Sequence, residues 1–562
     1  MDSRRLFLLL ALGLILLLLW TAWRSEHPTA SPAQNSSVST AASSQASGTT
    51  TAPATVSSEA SGAAPAAVPS GRIENLTPPH GPDITIRTDV LELTVALKGA
   101  ALIRATLLKY PQERGQAERV TLLSPAPNDF LVAYPELNGA GIPGEPVYST
   151  TASTYTLAPG ASSLRVPLAW SGNGLKLTQT LVLTHGSYAL KILTRASNTG
   201  TASIGLTSGV RIVGRDPLTS QHFWDHFLPK YWAYRGPAFY DGSYNKSAAE
   251  SLAESPIFQS FGGGWIASVN QYFVAAAIPP AAMKPTYFGQ PAGADGYDIG
   301  YRLPAVAVPA GAHATTTATL FLGPKLQGSL EQVAPGLSRT VDYGKATIIC
   351  VPIFWILSHI HAFVGNWGWS LILLVLLIKA LFYFPQRMSA RSMAKMRKLQ
   401  PRIKHLQERY KDDKQKLSQA TMELYRKEGA NPVSGCLPML IQIPIFIGLF
   451  YVLDYSVELR QAPWVLWIQD LSAPDPLYVL PILYGIASLL QFRLQPQATD
   501  NAQAKLMMFM PLIFTFFYAI FPSGLVLYYL LNTMLNVAIQ WQVNRELGIP
   551  LNLWPKRKKV DG

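Results

Sequence analysis

The stretch WGWSLILLVLLIKALFYFP, residues 367–385, decides how the rest of the chain is interpreted. It predicts a membrane-spanning helix of about 18 residues, close to the roughly 20 needed to cross the hydrocarbon of a bilayer. Its single charge is Lys379, and a lysine near a bilayer centre costs roughly 2.5–3.5 kcal/mol on insertion scales. Such residues usually have a function, but Lys379 also lies roughly 7–8 Å from the helix end, where a long side chain can reach the headgroups. This segment alone leaves both interpretations open.

The composition indicates a membrane protein with a large soluble part. The chain has 562 residues, of which 48% are hydrophobic and 14% charged, and its net charge of +13 is concentrated in two places. Residues 386–432 contain 13 basic and five acidic residues, a net charge of +8. A second basic cluster closes the sequence, at Lys556, Arg557, Lys558 and Lys559. Cys350 and Cys436 fall near opposite ends of the predicted topology, so no disulfide is expected, and no metal motif is present.

The N-terminal region predicts an anchor followed by a linker. Two arginines precede an unbroken apolar run over residues 6–23, which without a clear cleavage motif favours an uncleaved membrane anchor, residues 1–24, over a signal peptide. Its N-terminus is predicted to lie in the cytoplasm. Residues 25–82 are rich in Ser, Thr, Ala and Pro and predict a flexible linker without a core.

Residues 83–326 predict one large all-β sandwich. Period-2 alternation recurs between turn residues, in segments 90–97, 102–108, 175–184, 189–194, 272–278 and 315–322. His222 and His226 lie four residues apart beside Asp225, but no third ligand follows at a known spacing, so no metal is expected. The region contains no defensible catalytic group, and neither an enzyme nor a cofactor is predicted.

The segment between the sandwich and the opening stretch is predicted to lie outside the bilayer core. Residues 327–345 predict a short helical connector. The apolar run 346–357 has about 12 residues, too few to span, and predicts an interfacial helix.

The rest of the chain predicts a polytopic α-helical core, residues 346–545. Within it, residues 386–432 predict a basic helical hairpin with a coiled-coil seam, formed by Met396, Leu399, Ile403, Leu406 and Tyr410. Four further spans follow, at about 436–455, 478–492, 505–521 and 522–543. With the anchor and the opening stretch, this makes six transmembrane helices, five of them in the core. Because Lys and Arg stay cytoplasmic, the hairpin, both termini and the basic tail at 546–562 are predicted inside and the sandwich outside.

Polar side chains gather in the predicted cytoplasmic half of these spans. Lys379 and Gln442 enter from that side, Gln442 at about 9 Å depth. The last span carries a stripe with a four-residue period, formed by Tyr528, Asn532, Asn536 and Gln540. Polar groups that face lipid are costly, so the stripe predicts a wet cavity open to the cytoplasm. The alternative is a set of interhelical hydrogen bonds, each contributing around 0.6 kcal/mol. No P-loop and no chain of carboxylates supports ATP hydrolysis or ion pumping.

Five motifs carry a family resemblance: NPVSGCLPMLIQIPIF (431–446), SVELRQAP (456–463), WIQDL (467–471), FPSGLVLYY (521–529) and SMAKM (392–396). Together they resemble the signature of the YidC membrane-protein insertases, over roughly residues 340–545. The anchor and large β domain are similar to the long Gram-negative form, which implies a periplasmic sandwich in the bacterial inner membrane.

The resemblance implies a membrane protein insertase and chaperone with a hydrophilic groove. The family carries one positive residue, usually Arg, where this chain has Lys379, and an aromatic pair at Tyr528 and Tyr529. Its substrate groove is expected to contain Lys379, Gln442, Tyr528, Tyr529, Asn532 and Asn536. An adaptable apolar slide is assigned to Met439, Met507, Met508 and Met510, with ordinary packing as the alternative.

Expected partners are nascent membrane proteins, the ribosome, the lipid bilayer and, by resemblance, the Sec translocon. Ribosome or lipid contact is assigned to Arg397, Lys398, Arg402, Lys404 and the basic tail. Two other functions remain open at this point: a solute transporter or channel, and a membrane-tethered carbohydrate-binding protein that uses the sandwich.

Overall fold

The computed structural model of the protein describes residues 76–549, except 78, 80, 216–232, 294, 412, 432–436 and 496–500. The side chains of residues 414, 437–439 and 501–508 also lie outside the description. The predicted anchor, most of the linker, the basic cluster at 556–559 and the His222–His226 group therefore fall outside the described residues. The described residues belong to two compact units, one comprising Leu399–Ala430 and the other comprising the remainder.

Strands occupy the second unit from residue 83 to residue 324. In chain order they are β1 (Asp83–Arg87), β2 (Leu91–Ala96), β3 (Ala101–Pro111), β4 (Arg119–Leu123), β5 (Leu131–Gly139), β6 (Thr154–Thr156), β7 (Ser163–Gly172), β8 (Leu175–Thr184), β9 (Ala189–Asn198), β10 (Ile204–Arg215), β11 (Gly236–Tyr240), β12 (Tyr244–Lys246), β13 (Ile257–Ser260), β14 (Trp265–Val269), β15 (Phe273–Ile278), β16 (Thr286–Ala292), β17 (Gly296–Arg302), β18 (Val306–Val308) and β19 (His313–Pro324).

These strands form two sheets. An 11-stranded sheet has the order β13-β16-β17-β10-β5-β3-β2-β1-β6, with β18 paired to β10 and β4 to β3. An 8-stranded sheet has the order β12-β11-β14-β15-β19-β9-β8-β7. Side chains join them where Ser268 of β14 and Tyr297 of β17 share a hydrogen bond of 2.7 Å. The predicted large β-sandwich is confirmed.

Alternating burial explains why the sequence revealed these strands. In β8, Leu175, Leu177 and Leu181 are buried while Lys176 and Thr178 between them are exposed. Side chains of a strand point alternately to opposite faces, so this pattern places one face in the core and the other in solvent. Strand β15 is buried on both faces.

Helices make up most of the chain after residue 326. In chain order the described helices are α1 (Ala249–Glu254), α2 (Gln327–Val333), α3 (Thr347–Val364), α4 (Trp367–Leu381), α5 (Tyr383–Lys398), α6 (Gln400–Arg409), α7 (Lys414–Lys427), α8 (Leu437–Tyr455), α9 (Val479–Leu494), α10 (Asn501–Tyr518) and α11 (Ser523–Glu546). Helices α8–α11 lie where the last four spans were predicted.

Helix α3 is longer than the sequence predicted. The expected interfacial helix of about 12 residues is in fact 18 residues long. Polar residues do not end it, because Ser358 and His359 bond back to the carbonyl of Trp355, at 2.9 and 2.7 Å. Gly365, with a φ of 74°, ends the helix in the left-handed conformation that glycine tolerates. The predicted length was therefore wrong, whereas the interfacial location of this helix stays a prediction.

The opening stretch does not run as one helix to Pro385. Helix α4 ends at Leu381, and α5 begins at Tyr383 after a bend of 68°. Pro385 explains the break, since it lacks an N–H and its ring would clash with the carbonyl of Leu381 four residues earlier. The apolar helix is therefore four residues shorter than predicted.

Length and hydropathy identify few complete spans among the described residues. One helix, Gly344–Val364, is long and apolar enough to cross a membrane, and the bent pair α4 and α5 passes the same test together. The segments Leu440–Tyr455, Val479–Leu494 and Phe509–Tyr518 are apolar but shorter. Six transmembrane helices thus stay a prediction.

Helices α6 and α7 form the smaller unit. They are joined by a short turn and linked by an ion pair of 2.7 Å between Arg402 and Glu428. Ile403, one of the predicted seam residues, is buried. Asp413 caps α7 by accepting a hydrogen bond from the backbone N–H of Lys416.

Candidate functional site

The polar stripe, defined as Tyr528, Asn532, Asn536 and Gln540, lies along one side of α11. Residues four apart in a helix share a face, and these four cover about 18 Å at 1.5 Å per residue. Tyr528, Asn532 and Gln540 are 1%, 6% and 5% exposed. The stripe therefore faces neighbouring helices and not the surroundings.

Lys379 contacts the middle of the stripe. Its ammonium donates to Asn536 Oδ1 at 2.7 Å and to Gln386 Oε1 at 3.2 Å. The residue is 7% exposed although it lies in the last turn of α4. A snorkelling lysine would extend outward, so the geometry favours the functional interpretation. Both partners are neutral amides, and among the described residues no carboxylate pairs with the ammonium.

Gln442 of α8 contacts the beginning of the stripe. Its side-chain amide donates to the hydroxyl of Tyr528. Tyr529 turns away into an aromatic cluster, with ring centroids 4.9 Å from Tyr518 and 5.5 Å from Phe446. The two tyrosines of the aromatic pair therefore have different environments. Tyr528 takes part in the polar contacts, whereas Tyr529 packs against aromatic residues of neighbouring helices.

Gln540 extends the stripe toward the end of α11. Its amide donates to the carbonyl of Ala390 at 3.3 Å and to Asn544 Oδ1 at 3.2 Å. Asn544 is fully buried, and its Nδ2 has no hydrogen-bond partner among the described residues. Three helices, α8, α4 and α5, therefore each bond to one position of the stripe: Tyr528, Asn536 and Gln540 in turn.

Sequence reasoning missed Gln386 and Asn544. Gln386 was assigned to the hairpin, yet it lies seven residues, about two helical turns, after Lys379. Asn544 continues the four-residue period of the stripe by one more turn. The period itself was the signal that could have found Asn544.

The predicted apolar slide is described at one position only. Met510 is 39% exposed on α10, among other exposed apolar residues of that helix. The side chains of Met439, Met507 and Met508 lie outside the description. The slide therefore stays a prediction.

The predicted basic contact residues have differing environments. Lys398 and Lys404 are exposed, and Arg402 is occupied by Glu428. Arg397 is half-buried, and its burial lowers the pKa of the guanidinium. Its Nη1 has no hydrogen-bond partner among the residues that the structure describes.

The stripe and Lys379 are suited to binding. They offer one cation, several amides and a phenol, all suited to exchangeable hydrogen bonds. Among the described residues, no group of three or more His, Cys, Asp or Glu side chains could hold a metal ion.

Comparison with known proteins gives matches over most of the chain. Residues 83–356 match the model of the YidC periplasmic domain, and residues 359–549 match that of the 60Kd inner membrane protein family. Membrane protein insertase YidC of Methylococcus capsulatus is 42% identical over 470 residues, covering 83% of this chain and 86% of that protein. The namesake from Pseudomonas putida strain W619 is 38% identical, covering 97% and 98%.

A solved structure of an active YidC insertase, with its first transmembrane domain resolved, also matches. It is 19% identical with a TM-score of 0.39, covering 84% of this chain and 95% of that one. The full-length sequence relatives carry the assignment, and insertases of this family are not enzymes. The chain belongs to the YidC family of membrane protein insertases.

Proposed function

We propose that this chain inserts nascent membrane proteins into the inner membrane, and helps them fold, through a groove built on the polar stripe. The observation that carries the proposal is Lys379, a buried cation whose recorded partners are the neutral amides of Asn536 and Gln386. An isolated charge is expensive to bury, so its presence beside exchangeable amides favours a binding function.

The proposed topology has six transmembrane helices. Both termini and the α6–α7 hairpin lie in the cytoplasm, and the sandwich lies in the periplasm. The net charge of +8 over residues 386–432 supports this orientation, because basic segments stay on the cytoplasmic side. Lys379 and Asn536 then lie in the cytoplasmic half of the bilayer.

A polar groove in that half would shorten the apolar distance that a polar tail of a client must cross. The Gln442–Tyr528 and Lys379–Asn536 hydrogen bonds are exchanged for bonds to the client, and Asn532 supplies a further amide. Tyr529 supports them by packing. Each such bond contributes only about 0.6 kcal/mol between membrane helices, so the exchange is easily reversed. Lys379 attracts acidic segments of the client as a point charge, without the bidentate geometry of an arginine.

The basic surface is proposed to recruit partners. Exposed Lys398 and Lys404 suit contact with ribosomal RNA or anionic headgroups, and the tail at 556–559 adds four charges. The Sec translocon is proposed as a partner on the strength of the family. Met439, Met507, Met508 and Met510 are proposed as the apolar slide beside the groove.

The test is depletion of the protein with complementation by variants, scoring insertion of a small client with an acidic translocated tail. Lys379→Ala is expected to lose insertion, and Lys379→Arg to restore it, since only positive potential is needed. Lys345→Ala is the matched control, because Lys345 is an exposed lysine outside the stripe. Full insertion by Lys379→Ala would contradict the groove mechanism.

A further inference from the structure

The loop between α8 and α9, residues 456–478, contacts the β-sandwich at the turn that follows β3. Arg460 Nη2 donates to the carbonyls of Pro111 and Gln112, at 3.0 and 2.9 Å. Gln461 Nε2 donates to the same Pro111 carbonyl at 3.2 Å. In the reverse direction, Arg114 donates to the carbonyl of Gln469. This α8–α9 loop and the β3–β4 turn thus exchange hydrogen bonds in both directions.

Arg460 is also held from the side. Its guanidinium carbon lies 5.8 Å from the ring centroid of Tyr272 and 5.7 Å from that of Phe273. Both rings belong to the sandwich, at the beginning of β15. An arginine with one nitrogen bonded to two carbonyls and its guanidinium beside two aromatic rings has restricted freedom, which makes it suited to fixing a geometry.

A second set of contacts lies near the connector. Glu458 Oε1 accepts from the backbone N–H of Gln327 at 3.0 Å, and the hydroxyls of Ser456 and Tyr343 are 3.0 Å apart. Gln271 Nε2 donates to the carbonyl of Asp454 at 2.9 Å. The end of α8 and the beginning of the loop are therefore bonded to the sandwich and to the connector.

The same loop is bonded to the beginning of α11. Ser523 Oγ donates to the Asp470 carbonyl and its backbone N–H to the Ala473 carbonyl, both at 2.7 Å. Gly524 N–H donates to the Leu471 carbonyl at 3.0 Å. Any movement of the sandwich relative to the loop would therefore also be a movement relative to α8 and α11.

We propose that the α8–α9 loop is a clasp that fixes the orientation of the β-sandwich over the helices, with Arg460 as its positioning residue. The covalent connector and the nearby Gln271–Asp454 hydrogen bond attach the sandwich near the end of α8 and leave it free to rotate about the line that joins them. Arg460 adds a separate attachment at the β3–β4 turn, and three attachments define an orientation. The inference is independent of the groove mechanism, because none of its contacts involves the polar stripe.

The test measures the distance between the sandwich and the helices in the full-length protein. Spin labels are placed at Lys191→Cys on β9 and Leu477→Cys before α9, both exposed, after replacing Cys350 and Cys436 by serine. The otherwise unaltered chain is expected to give one narrow distance distribution. Arg460→Ala is expected to broaden this distance distribution, and Arg460→Lys to restore part of its narrowness.

Two further variants keep the test decisive. Arg114→Ala removes a donor of the clasp from an exposed position on the sandwich side and should broaden the distribution without affecting folding. Arg165→Ala, an exposed arginine of β7, is the matched control and should leave it narrow. A narrow distribution in both Arg460→Ala and Arg114→Ala, or equal broadening by Arg165→Ala, would overturn the proposal.

Discussion

The α8–α9 loop and the polar stripe hold helix α11 in two different ways. At the beginning of α11, backbone groups of Ser523 and Gly524 bond to backbone carbonyls of the loop. Farther along, the stripe residues Asn536 and Tyr528 accept hydrogen bonds from Lys379 and Gln442 through side chains alone. Hydrogen bonds between two backbone segments cannot change partners unless the segments themselves move. Amide side chains, in contrast, can rotate to a new partner. We therefore expect the loop end of α11 to stay closed and the stripe end to rearrange.

The largest expected effect comes from the close packing beside the loop. A Cβ on Gly368, at the beginning of α4, would meet the indole of Trp464 in the loop. Gly368→Ala should therefore lower the free energy of unfolding by about 1–3 kcal/mol through overpacking. Urea unfolding of the full-length protein measures this.

Gly328→Ala serves as its control, because a Cβ there meets nothing within 4 Å. That residue lies in α2, where alanine is the better helix former. Equal destabilisation by both substitutions would show that the packing of Gly368 against the loop is no tighter than that around Gly328.

At the stripe, a change of charge should alter function with little effect on folding. Asn536→Asp places a carboxylate 2.7 Å from the ammonium of Lys379, at the position of the present amide oxygen. Neutralising the cation should lower insertion of an acidic-tailed client about tenfold, the equivalent of roughly 1.4 kcal/mol. Insertion kinetics in vesicles measure it, with a client lacking acidic residues as control. Equal loss for both clients would contradict a charge-based mechanism.

Loss of a single hydrogen bond between the loop and α11 should have a smaller effect than either of these substitutions. Ser523→Ala removes the hydroxyl that donates to the Asp470 carbonyl, at a cost of about 1 kcal/mol. Ser329→Ala is the control, since that hydroxyl makes an exposed local bond of 3.3 Å. Hydrogen exchange of Gly524 should quicken in the first variant only. Unchanged exchange would weaken the distinction between the two ends of α11.

The smallest effect is a pH dependence at the junction of sandwich and connector. Lys325 is 2% exposed, donates to the Thr340 carbonyl at 2.9 Å, and has a pKa lowered by burial to about 7, although Asp342 opposes that shift. The unfolded chain keeps this lysine protonated to a pH of about 10.4, so it binds more protons than the folded chain above pH ~7. Stability should therefore rise with pH.

Between pH ~6.5 and ~7.5 the gain should stay below about 1 kcal/mol. Thermal unfolding of the full-length protein at the two pH values measures it, and Lys325→Met should flatten the dependence. An identical slope in the variant would exclude Lys325 as its source.

Much of the fold was predictable because periodicity is a local property. The leucines of β8 and the polar residues of α11 repeat at the intervals of a strand and a helix, and both elements formed where expected. The break at Phe382 was missed because the apolar run continues through this residue up to Phe384. Pro385 disrupts the helix one turn before its own position, where the sequence shows no change of hydropathy. The length of α3 was missed because its histidine and serine bond to their own helix.

The gathering of polar side chains around Lys379 was predictable in part, without Gln386 and Asn544, but the pairs that they form were not. Depth along each helix suggested that Lys379, Gln442 and Asn536 lie together. Which amide bonds to which partner depends on the rotation of each helix about its axis and on the 68° bend. Neither can be predicted from a local sequence pattern. The contact of Arg460 with Pro111 joins residues 349 apart in sequence, and no periodic pattern predicts a contact of this kind.

The most direct test of the central claim is access to the stripe from each side of the membrane. A single cysteine at Asn536, in a chain with Cys350 and Cys436 replaced by serine, is exposed to a membrane-impermeant maleimide in vesicles of either orientation. Labelling only when the cytoplasmic face is outside is the predicted result. Labelling from the periplasmic face would contradict a closed loop end and favour a transporter or channel.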